Sequence, residues 1–406
     1  MVYNRRMKTL VVVLLAAGAA FSEDWPQFRG PLGQGHSDAL DLPLKWSPKE
    51  NVRWKVEIPG HGWSSPAIQG SRIWLTAATE DGRSLRAISI DKDTGRISKN
   101  VEVFRVASPE RINQKNNPAS PTPILEGDRV YVHYGAQGTA ALTEAGEIVW
   151  KTHLRYEHQH GPGGSPALYR DLLLISCDGT DTQYVVALDK NTGKIRWKRP
   201  RKGYQAYTTP LVISPSGGDQ VVSVGAHRAI SYDPASGKEL WSIQYGDGFS
   251  NVPRPVFANG LVYITSGFFQ PVLFAVKPDG KGDVTDTHVA WSIMRAVPLT
   301  PSPLAVGEEL YIVSDNGIAT CLDGKTGKAH WQQRMGSNYS ASPLYAAGRI
   351  YFLSEDGETT VIAPGREFRK LASNSLEEPT LASIAVSDNA LFIRSEKNLY
   401  RIENSK

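Results

Sequence analysis

Two histidines separated by one residue, His158 and His160, are the most concentrated candidate metal ligands in this chain of 406 residues. On a β-strand the residues i and i+2 point to the same face, so both imidazoles could bind one ion. Zinc sites use three or four protein ligands, and the sequence offers no third ligand near this pair. The sequence therefore predicts no metal site, and His160 is kept only as a candidate contact for a ligand.

Carboxylates and nucleophiles indicate equally little chemistry. Asp279, Asp283 and Asp286 lie in a glycine-containing loop and could offer oxygen ligands to Ca²⁺. Their spacing fits no known calcium loop, and turn formation is the simpler interpretation. The chain has neither the Gly-x-Ser-x-Gly motif of a serine nucleophile nor a glycine-rich phosphate loop, so no catalytic residue is predicted.

A repeated unit forms the scaffold on which any functional residue must lie. Its pattern, Asp-x-x-Thr/Ser-Gly-x-x-x-Trp, predicts a strand end, a tight turn and the start of the next strand. The Asp carboxylate can accept amides of the turn, Gly can adopt the left-handed conformation that closes it, and Trp can bury its ring. The clearest copies contain Asp189, Gly193 and Trp197; Asp233, Gly237 and Trp241; and Asp323, Gly327 and Trp331.

A second marker, a small residue followed by proline, sets the period of the repeat. The residues in this position are Ser65, Ser120, Ser165, Thr209, Arg254, Ser302, Ser342 and, without the proline, Ser383. Their spacing of about 40–55 residues is that of four-stranded propeller blades. Short β-branched and aromatic runs fill each unit, and no stretch after residue 22 has the pattern of an amphipathic helix. The sequence predicts an all-β, eight-bladed β-propeller.

The first part of the chain, residues 1–22, has the features of a cleavable secretory signal peptide. Basic residues precede an apolar run that ends in small residues. The alternative is an uncleaved anchor, although the run is short for a membrane span. No cysteine lies near the cleavage position, so a lipid-modified lipoprotein is not expected. The predicted location is periplasmic or extracellular, with no membrane span after cleavage.

Residues 23–50, here called the strap, open with the aromatic sequence Trp-Pro-Gln-Phe-Arg-Gly-Pro after two acidic residues. The strap is predicted to pack on the propeller surface, with a peptide-like docking motif as the alternative. Residues 51–406 are predicted to form one propeller. Residues 51–58 look like a strand without neighbours, and the last unit shows only three strands. The N-terminal strand is therefore predicted to complete the last blade and close the ring, which removes open sheet edges.

The formal charge of +4 is largely due to the signal peptide, which contains Arg5, Arg6 and Lys8. Without them the charge is about +1, and Lys and Arg are scattered among Asp and Glu, so nucleic-acid binding is not expected. Cys177 and Cys321 fall in the third and sixth blades, too far apart for a disulfide, and are predicted to be buried free thiols. The protein is expected to be a monomer.

The repeat units, the Ser-Pro strand openings and the eightfold count resemble those of the quinoprotein-type, or pyrroloquinoline-quinone (PQQ) repeat, β-propellers. The resemblance covers roughly residues 45–403. Two groups share that fold: the quinoprotein alcohol dehydrogenases, and BamB, the lipoprotein of the bacterial outer-membrane β-barrel assembly machinery. Residues 25–31 and 62–66 are similar to those of a subgroup of secreted bacterial propellers. The resemblance implies that the repeat tryptophans dock one blade on the next and do not bind quinone.

The resemblance also raises two functional alternatives. Quinoprotein dehydrogenases hold PQQ with a Ca²⁺ bound by Glu, Asn and Asp, use an Asp base and commonly place a vicinal disulfide over the cofactor. This chain has no adjacent cysteines and lacks the long insertions that build that site. The favoured function is a non-catalytic binding or scaffold module, without cofactor, for a protein, peptide or glycan of the cell envelope. The alternative is a dehydrogenase that uses PQQ and Ca²⁺ to oxidise an alcohol or sugar.

In propellers of this type the Asp-Thr-Gly turns lie on one face, here called the turn face. The connections that lead into each first strand, and the loops between the second and third strands, lie on the other, the mouth face, around the central channel. Ligand sites favour concave positions such as this channel mouth. The candidate ligand-binding residues there are Trp63, His160, Asp178, Tyr207, Arg228, Arg254 and Asn316.

Arg254 is the sharpest of these candidates, because it replaces the small residue before proline in its blade. It is predicted to project a cation into the channel mouth beside Tyr207 and to bind an anionic or π-rich group of a ligand. The alternative is an ion pair with an Asp across the channel. The mouth connections differ from blade to blade whereas the turns repeat, which favours a specialised site on the mouth face.

Overall fold

A computed structural model describes residues 23–109 and 112–405, and the predicted signal peptide lies outside these residues. The described chain forms eight sheets, arranged as the blades of one β-propeller. In this part of the chain no helix is both long and apolar enough to cross a membrane. The predicted all-β, eight-bladed fold is confirmed.

The first strand, β1 (Val52–Glu57), belongs to the last blade, and the other blades take their strands in chain order from the channel outward. Blades 1 to 4 comprise β2 (Ala67–Gln69), β3 (Arg72–Ala78), β4 (Ser84–Asp91), β5 (Ile97–Arg105); β6 (Ile124–Glu126), β7 (Arg129–His133), β8 (Thr139–Thr143), β9 (Ile148–Thr152); β10 (Ala167–Tyr169), β11 (Leu172–Asp178), β12 (Gln183–Asp189), β13 (Ile195–Pro200); and β14 (Leu211–Ile213), β15 (Gln220–Val224), β16 (Arg228–Tyr232), β17 (Glu239–Gln244). Blades 5 to 8 comprise β18 (Val256–Ala258), β19 (Leu261–Thr265), β20 (Leu273–Val276), β22 (Val289–Ile293); β23 (Leu304–Val306), β24 (Glu309–Val313), β25 (Ile318–Asp323), β26 (Ala329–Arg334); β27 (Leu344–Ala346), β28 (Arg349–Leu353), β29 (Glu358–Ala363), β30 (Arg369–Ser375); and β31 (Ala385–Ser387), β32 (Ala390–Arg394), β33 (Asn398–Glu403) with β1. Besides these there are a 3-10 turn (Gly135–Gln137), the two-residue β21 (Gly282–Asp283), which pairs in parallel with β17, and helix α1 (Thr285–His288).

An N-terminal strand closes the ring, as predicted. β1 pairs antiparallel with β33, with Val52 opposite Ile402 and Val56 opposite Leu399. Lys55 on β1 also donates to the Glu378 carboxylate at 2.5 Å. The two ends of the propeller therefore share one blade, and no blade is left with a missing strand.

The repeat tryptophans lie between neighbouring blades. The ring of Trp197 in blade 3 packs on Gly237 in a turn of blade 4, and its Nε1 donates to the Pro234 carbonyl at 2.9 Å. A Cβ on Gly237 would lie 2.6 Å from this ring, so only glycine fits there. Trp241 differs, because its Nε1 donates to Gln220 of its own blade at 2.8 Å.

The turns that receive these rings are held by their aspartates. The carboxylates of Asp189, Asp233 and Asp323 each accept the backbone N–H three residues later, at 2.9, 2.7 and 2.9 Å. Gly193 and Gly327 have left-handed φ angles of 70° and 72° and leave no room for a Cβ beside the tryptophan of the preceding blade. Turn and tryptophan together join each such pair of blades.

The hydrophobic core lies between blades rather than on the axis. One cluster joins Ile124 of blade 2 with Leu173 of blade 3, and both are at most 2% exposed. Cys177 and Cys321 lie in blades 3 and 6 and are buried and free, as predicted. Burial raises the pKa of the Cys321 thiol to about 11, so neither a thiolate nor a disulfide contributes to this core.

The strap crosses the channel on its turn-face side. Trp25 exchanges two backbone hydrogen bonds of 2.8 Å with Ile68 on the innermost strand of blade 1. Gln34 accepts the N–H of Phe257 on the innermost strand of blade 5 at 2.7 Å. Because blades 1 and 5 stand on opposite sides of the ring, residues 25–34 span it. The strap was predicted to pack on the surface; it fills the axis instead, since a ring of this size leaves a channel that the short inner strands cannot fill.

Candidate functional site

The residues that precede the first strand of each blade form a ring around the channel. Seven of them carry a hydroxyl group: Ser65, Thr122, Ser165, Thr209, Ser302, Ser342 and Ser383. Each of these hydroxyl oxygens accepts a backbone N–H from the equivalent residue of a neighbouring blade, at 2.9–3.1 Å. This hydroxyl ring explains why the sequence repeats a small polar residue at these positions.

In blade 2 the ring residue is Thr122, not Ser120 as the sequence analysis assumed. Residues 120–123 read Ser-Pro-Thr-Pro, so two pairs fit the marker. Thr122 accepts the N–H of Ser65 at 3.0 Å, and its own N–H donates to Ser165 at 2.9 Å. Hydrogen bonding between blades therefore decides the register.

A second layer of side chains lies two residues before the ring in every blade. Unlike the ring, this layer does not repeat, and it consists of Trp63, Ser120, Gly163, Tyr207, Val252, Thr300, Ser340 and Leu381. The two layers line a funnel of about 800 Å³ that opens on the mouth face. A regular scaffold thus carries an irregular lining.

The strap closes the bottom of this funnel. Phe28 lines the cavity together with the hydroxyl ring, whereas Arg29, Gln34 and His36 line a separate cavity on the turn face. The funnel is consequently a blind recess. The recess is open only toward the mouth face among the described residues.

One wall of the funnel is aromatic. The ring of Phe249 lies 5.7 Å from Tyr204 and 5.7 Å from Phe268, and Phe268 lies 6.4 Å from Phe269. Phe268 is 53% exposed and Phe269 is 67% exposed. Large apolar side chains left in water side by side are typical of a binding surface.

Amide groups and one ion pair make up a polar part of the rim. Asn113, Asn116 and Gln159 line the funnel, and the Asn116 side chain donates to the His160 carbonyl at 2.7 Å. Lys115 donates to both Glu355 oxygens at 3.0 Å, so its charge is neutralised within the protein.

Asp315 is the one carboxylate among the described residues that line the funnel. Its Oδ2 accepts the N–H groups of Leu299 and Thr300 at 2.6 and 3.3 Å. Burial raises the pKa of this carboxyl, and the hydrogen bonds oppose that shift. The neighbouring Asn316, which the sequence analysis proposed, is exposed outside the lining, where it accepts the Ser314 hydroxyl at 2.7 Å. At a turn, successive side chains point in different directions, so Asp315 lines the funnel and Asn316 does not.

Three of the seven residues predicted at the channel mouth line the funnel: Trp63, His160 and Tyr207. The rings of His160 and Tyr207 lie 6.1 Å apart. Burial raises the pKa of Tyr207, whose hydroxyl donates to Gln205 at 3.0 Å.

Asp178 and Arg228 were also predicted at the mouth and lie elsewhere. Asp178 is 1% exposed and forms a buried ion pair with Arg201, which ties blade 3 to the connection that follows it. Arg228 lies at the start of β16 and pairs with Glu239 at 3.4 Å. Each of the two side chains forms an ion pair with a residue of its own blade or of the connection that follows it, and neither lines the funnel.

Arg254 does not project into the funnel, which corrects the prediction made for it. It is 2% exposed, and its guanidinium donates to the carbonyls of Phe28 at 2.9 Å and Pro210 at 3.0 Å. The strap brings the Phe28 carbonyl to the axis, where it accepts this hydrogen bond. Arg254, the residue without a hydroxyl in the ring, therefore holds the strap instead of the predicted ligand group.

Tyr204 and Phe249 were missed by the sequence analysis, although a signal for them was present. In blades 3, 4 and 5 the residue five positions before the ring residue is aromatic: His160, Tyr204 and Phe249. Counting back from the ring at a constant offset finds this series. Residue type alone does not identify this series, because Tyr204 and Phe249 carry no catalytic or metal-binding group.

The funnel does not fit the PQQ and Ca²⁺ site of quinoprotein dehydrogenases. Among residues 23–109 and 112–405, no group of three or more His, Cys, Asp or Glu side chains is placed to hold a metal ion. Asp315, the acidic residue of the lining, already accepts two backbone N–H groups. The two cysteines are buried in different blades and cannot form the vicinal disulfide.

Sequence comparisons relate the chain to an assembly factor. A family model described as the outer membrane protein assembly factor BamB matches residues 181–281 and 280–367. The BamB of Moranella endobia is 23% identical over 249 residues, which cover 59% of this chain and 61% of that protein. The match thus spans less than two thirds of the relative's own length.

Solved structures share the propeller fold. The crystal structure of BamB from Moraxella catarrhalis aligns with a TM-score of 0.62 and 13% identity over 87% of this chain and 97% of that one. The chain is an eight-bladed β-propeller that is similar in fold to BamB. The chain also aligns with the quinohemoprotein alcohol dehydrogenase from Comamonas testosteroni, with a TM-score of 0.70 and 11% identity over 95% of this chain and 81% of that one. At such identities the likeness concerns the fold, and the lining of the funnel must distinguish between functions.

Proposed function

We propose that this propeller is a non-catalytic binding module of the cell envelope that takes an extended segment of another polypeptide into its funnel. The observation that carries the proposal is the blind recess of about 800 Å³ with an aromatic wall above a ring of hydroxyl groups. The match to a family model described as an outer membrane protein assembly factor supports a protein as the partner. Secretion by the predicted signal peptide would deliver the protein to the periplasm or the cell exterior.

The aromatic wall supplies the apolar part of such an interaction. Tyr204, Phe268 and Phe269 are 37%, 53% and 67% exposed, and their rings form one continuous series through Phe249. Exposed aromatic rings on a rigid scaffold dominate the energetics of many protein interfaces. Apolar side chains of a bound segment would displace water from this wall.

The hydroxyl ring supplies the polar part. Each ring oxygen accepts a backbone N–H, and no described acceptor receives the hydroxyl hydrogen of Ser65, Ser165 or their five equivalents. These hydrogens are available to a ligand rich in acceptors. The carbonyl groups of an extended polypeptide are such acceptors.

A PQQ-dependent dehydrogenase is the less supported function. Its cofactor requires a Ca²⁺ ligand set and an acid–base carboxylate, whereas the funnel lining is largely aromatic, amide and hydroxyl in character. We therefore propose that ligand binding requires neither PQQ nor Ca²⁺.

Site-specific photo-crosslinking tests the proposal in the native host. Tyr204 is replaced with p-benzoylphenylalanine, and the same replacement at Leu40, which is 86% exposed on the strap, is the control. We expect ultraviolet-dependent, protease-sensitive adducts from the Tyr204 position and none from Leu40. Adducts of equal yield at both positions would show that the partner does not bind preferentially in the funnel.

Direct binding assays define the ligand class. An array of unstructured peptides and an array of oligosaccharides are probed with the purified protein and with the Phe249→Ala variant. We expect peptide binding that weakens at least tenfold in the variant while the melting temperature stays nearly constant. Glycan binding without peptide binding would overturn the choice of ligand. Dye reduction by alcohols after incubation with PQQ and Ca²⁺ would overturn the non-catalytic assignment.

A further inference from the structure

The centre of the propeller contains two buried positive charges. Arg29 of the strap and Arg254 of blade 5 are each 2% exposed. Burial lowers the pKa of both guanidinium groups to about 9, and the charge of Arg254 adds to this effect on Arg29. Both groups are therefore protonated at neutral pH although their side chains are almost fully buried.

Neither guanidinium has all of its N–H groups satisfied within the described chain. Arg29 donates from Nη2 to the carbonyls of Gln34 at 2.9 Å and Pro303 at 2.7 Å, but its Nε and Nη1 have no partner. Arg254 donates from both Nη atoms to carbonyls, but its Nε has no partner. Buried polar groups in folded proteins nearly always have a hydrogen-bond partner, so these three nitrogens call for one.

Two glycines of the strap hold the guanidinium groups close together. A Cβ on Gly33 would lie 2.0 Å from Arg254 Nη1, and a Cβ on Gly35 would lie 2.9 Å from Arg29 Nη2. Two residues span at most about 7 Å of chain, so both cations pack on the same short stretch of backbone. Their mutual repulsion is consistent with the lowered pKa of Arg29.

The acidic residues that share a cavity with Arg29 do not compensate these charges. Glu23 and Asp38 line the turn-face cavity of about 540 Å³ beside Arg29. The Glu23 carboxylate instead accepts the Ser37 hydroxyl and the Asp38 N–H, at 2.7 and 3.1 Å. No described carboxylate raises the pKa of either arginine.

We propose that a small monovalent anion such as chloride binds at Arg29 and Arg254 on the propeller axis and secures the strap in the channel. An unpaired charge in a water-excluded interior is strongly unfavourable, and an anion offsets both charges at once. It also accepts the N–H groups of Arg29 and Arg254 that have no partner within the described chain. The unsatisfied nitrogens expose almost no surface, so a small halide fits better than a larger phosphate or sulfate.

Crystals soaked in sodium bromide test the site directly. We expect an anomalous bromide peak in contact with the guanidinium groups of Arg29 and Arg254. An axis that shows only water, or a tetrahedral oxyanion in place of a halide, would overturn the proposal. This measurement uses the wild-type protein and does not depend on whether a variant folds.

Thermal unfolding gives the energetic readout. The melting temperature is measured in sodium gluconate and in sodium chloride at the same ionic strength. We expect it to be about 2–5 °C higher in chloride when the chloride concentration is a hundredfold above its dissociation constant. The rise should vanish in Arg29→Gln. It should persist in Arg394→Gln, because Arg394 is a buried arginine that donates to Ser64 and Thr76, away from the strap. An equal chloride response in all three proteins would refute the assignment to Arg29.

Discussion

The two faces of the propeller are built by the same eight blades and finished in different ways. On the turn face the Asp-Thr-Gly turns repeat, and the strap fills the channel, with Trp25 only 1% exposed. On the mouth face the hydroxyl ring repeats, the layer above it does not, and aromatic rings such as Phe268 stay 53% exposed. Aromatic residues therefore have two roles in this chain. Those of the turn face stabilise the propeller, whereas those of the mouth face are left for a ligand.

Arg254 belongs to both regions and shows how they differ. Its backbone N–H donates to Ser302 and so continues the hydroxyl ring that faces the mouth. Its side chain turns toward the strap and bonds Phe28. The arginine at this ring position thus stabilises the strap on the turn side, and its charge does not reach the funnel. The following changes should separate the two regions.

The largest effect should come from removing the closing strand. Deletion of residues 51–58 leaves the last blade with three strands and an open edge on β33, so we expect soluble protein to be lost. Yield and thermal unfolding measure this. Addition of a peptide with the sequence of residues 51–58 during refolding is the control and should restore part of the soluble fraction. An unchanged melting temperature after the deletion would show that closure is unimportant.

A smaller but still large effect is expected at a blade interface. Trp197→Ala removes a ring that is 7% exposed and should lower the free energy of unfolding by about 3–5 kcal/mol. Trp331 occupies the equivalent repeat position but is only partly buried, so Trp331→Ala should cost about 1–3 kcal/mol. Denaturant unfolding compares the two. Equal losses would mean that the repeat position, rather than local burial, sets the contribution.

Acid should weaken the closing blade through Glu378. Burial would raise the pKa of this carboxyl, but hydrogen bonds from Lys55, Ser395, Tyr400 and Asn398 outweigh burial and lower the pKa to about 2, from 4.5. Because the folded-state pKa is depressed, the stabilisation is complete above about pH 4.5 and is lost as pH falls toward about 2.

The measurement is the free energy of unfolding of wild type and Glu378→Gln between these pH values. The difference between the two proteins should shrink steadily as the solution is acidified. A constant difference across the window would remove Glu378 from the closure.

The smallest effect on stability is expected at the aromatic wall. Phe268→Ala removes a half-exposed ring, so the free energy of unfolding should change by no more than about 0.5 kcal/mol. Peptide binding should nevertheless weaken at least tenfold. Exposed Leu32 of the strap is the control, since Leu32→Ala should alter neither quantity. A large loss of stability in Phe268→Ala would show that aromatic residues of the mouth face also stabilise the fold, so the two faces would not differ in this respect.

Much of the fold was predictable because it is encoded locally and repeated. The turn aspartates, the glycine beside each tryptophan and the spacing of the strand openings each satisfy a short-range requirement of a blade. Closure by residues 51–58 followed from counting strands in the last unit. The register of blade 2 was not predictable, because Ser120 and Thr122 both precede proline and only their bonds to other blades distinguish them.

The site was predictable only in part, because it depends on contacts between distant segments. Trp63, His160 and Tyr207 were found because they lie in the connections that lead into the first strands of their blades. Asp178 was misplaced because its partner, Arg201, is recognised only once the chain is folded.

The sequence by itself determined the number of blades, the identity of the docking residues and the way the ring is closed, because each follows from periodic local chemistry. Tertiary structure alone decided that the strap occupies the channel and that Arg254 turns toward it. It also decided that the remaining mouth is a blind, aromatic and nearly uncharged recess. These features arise where residues more than two hundred positions apart meet, as at Arg254 and Phe28. No local sequence pattern predicts such a contact, because its energy depends on which distant segment the folded chain brings to the axis.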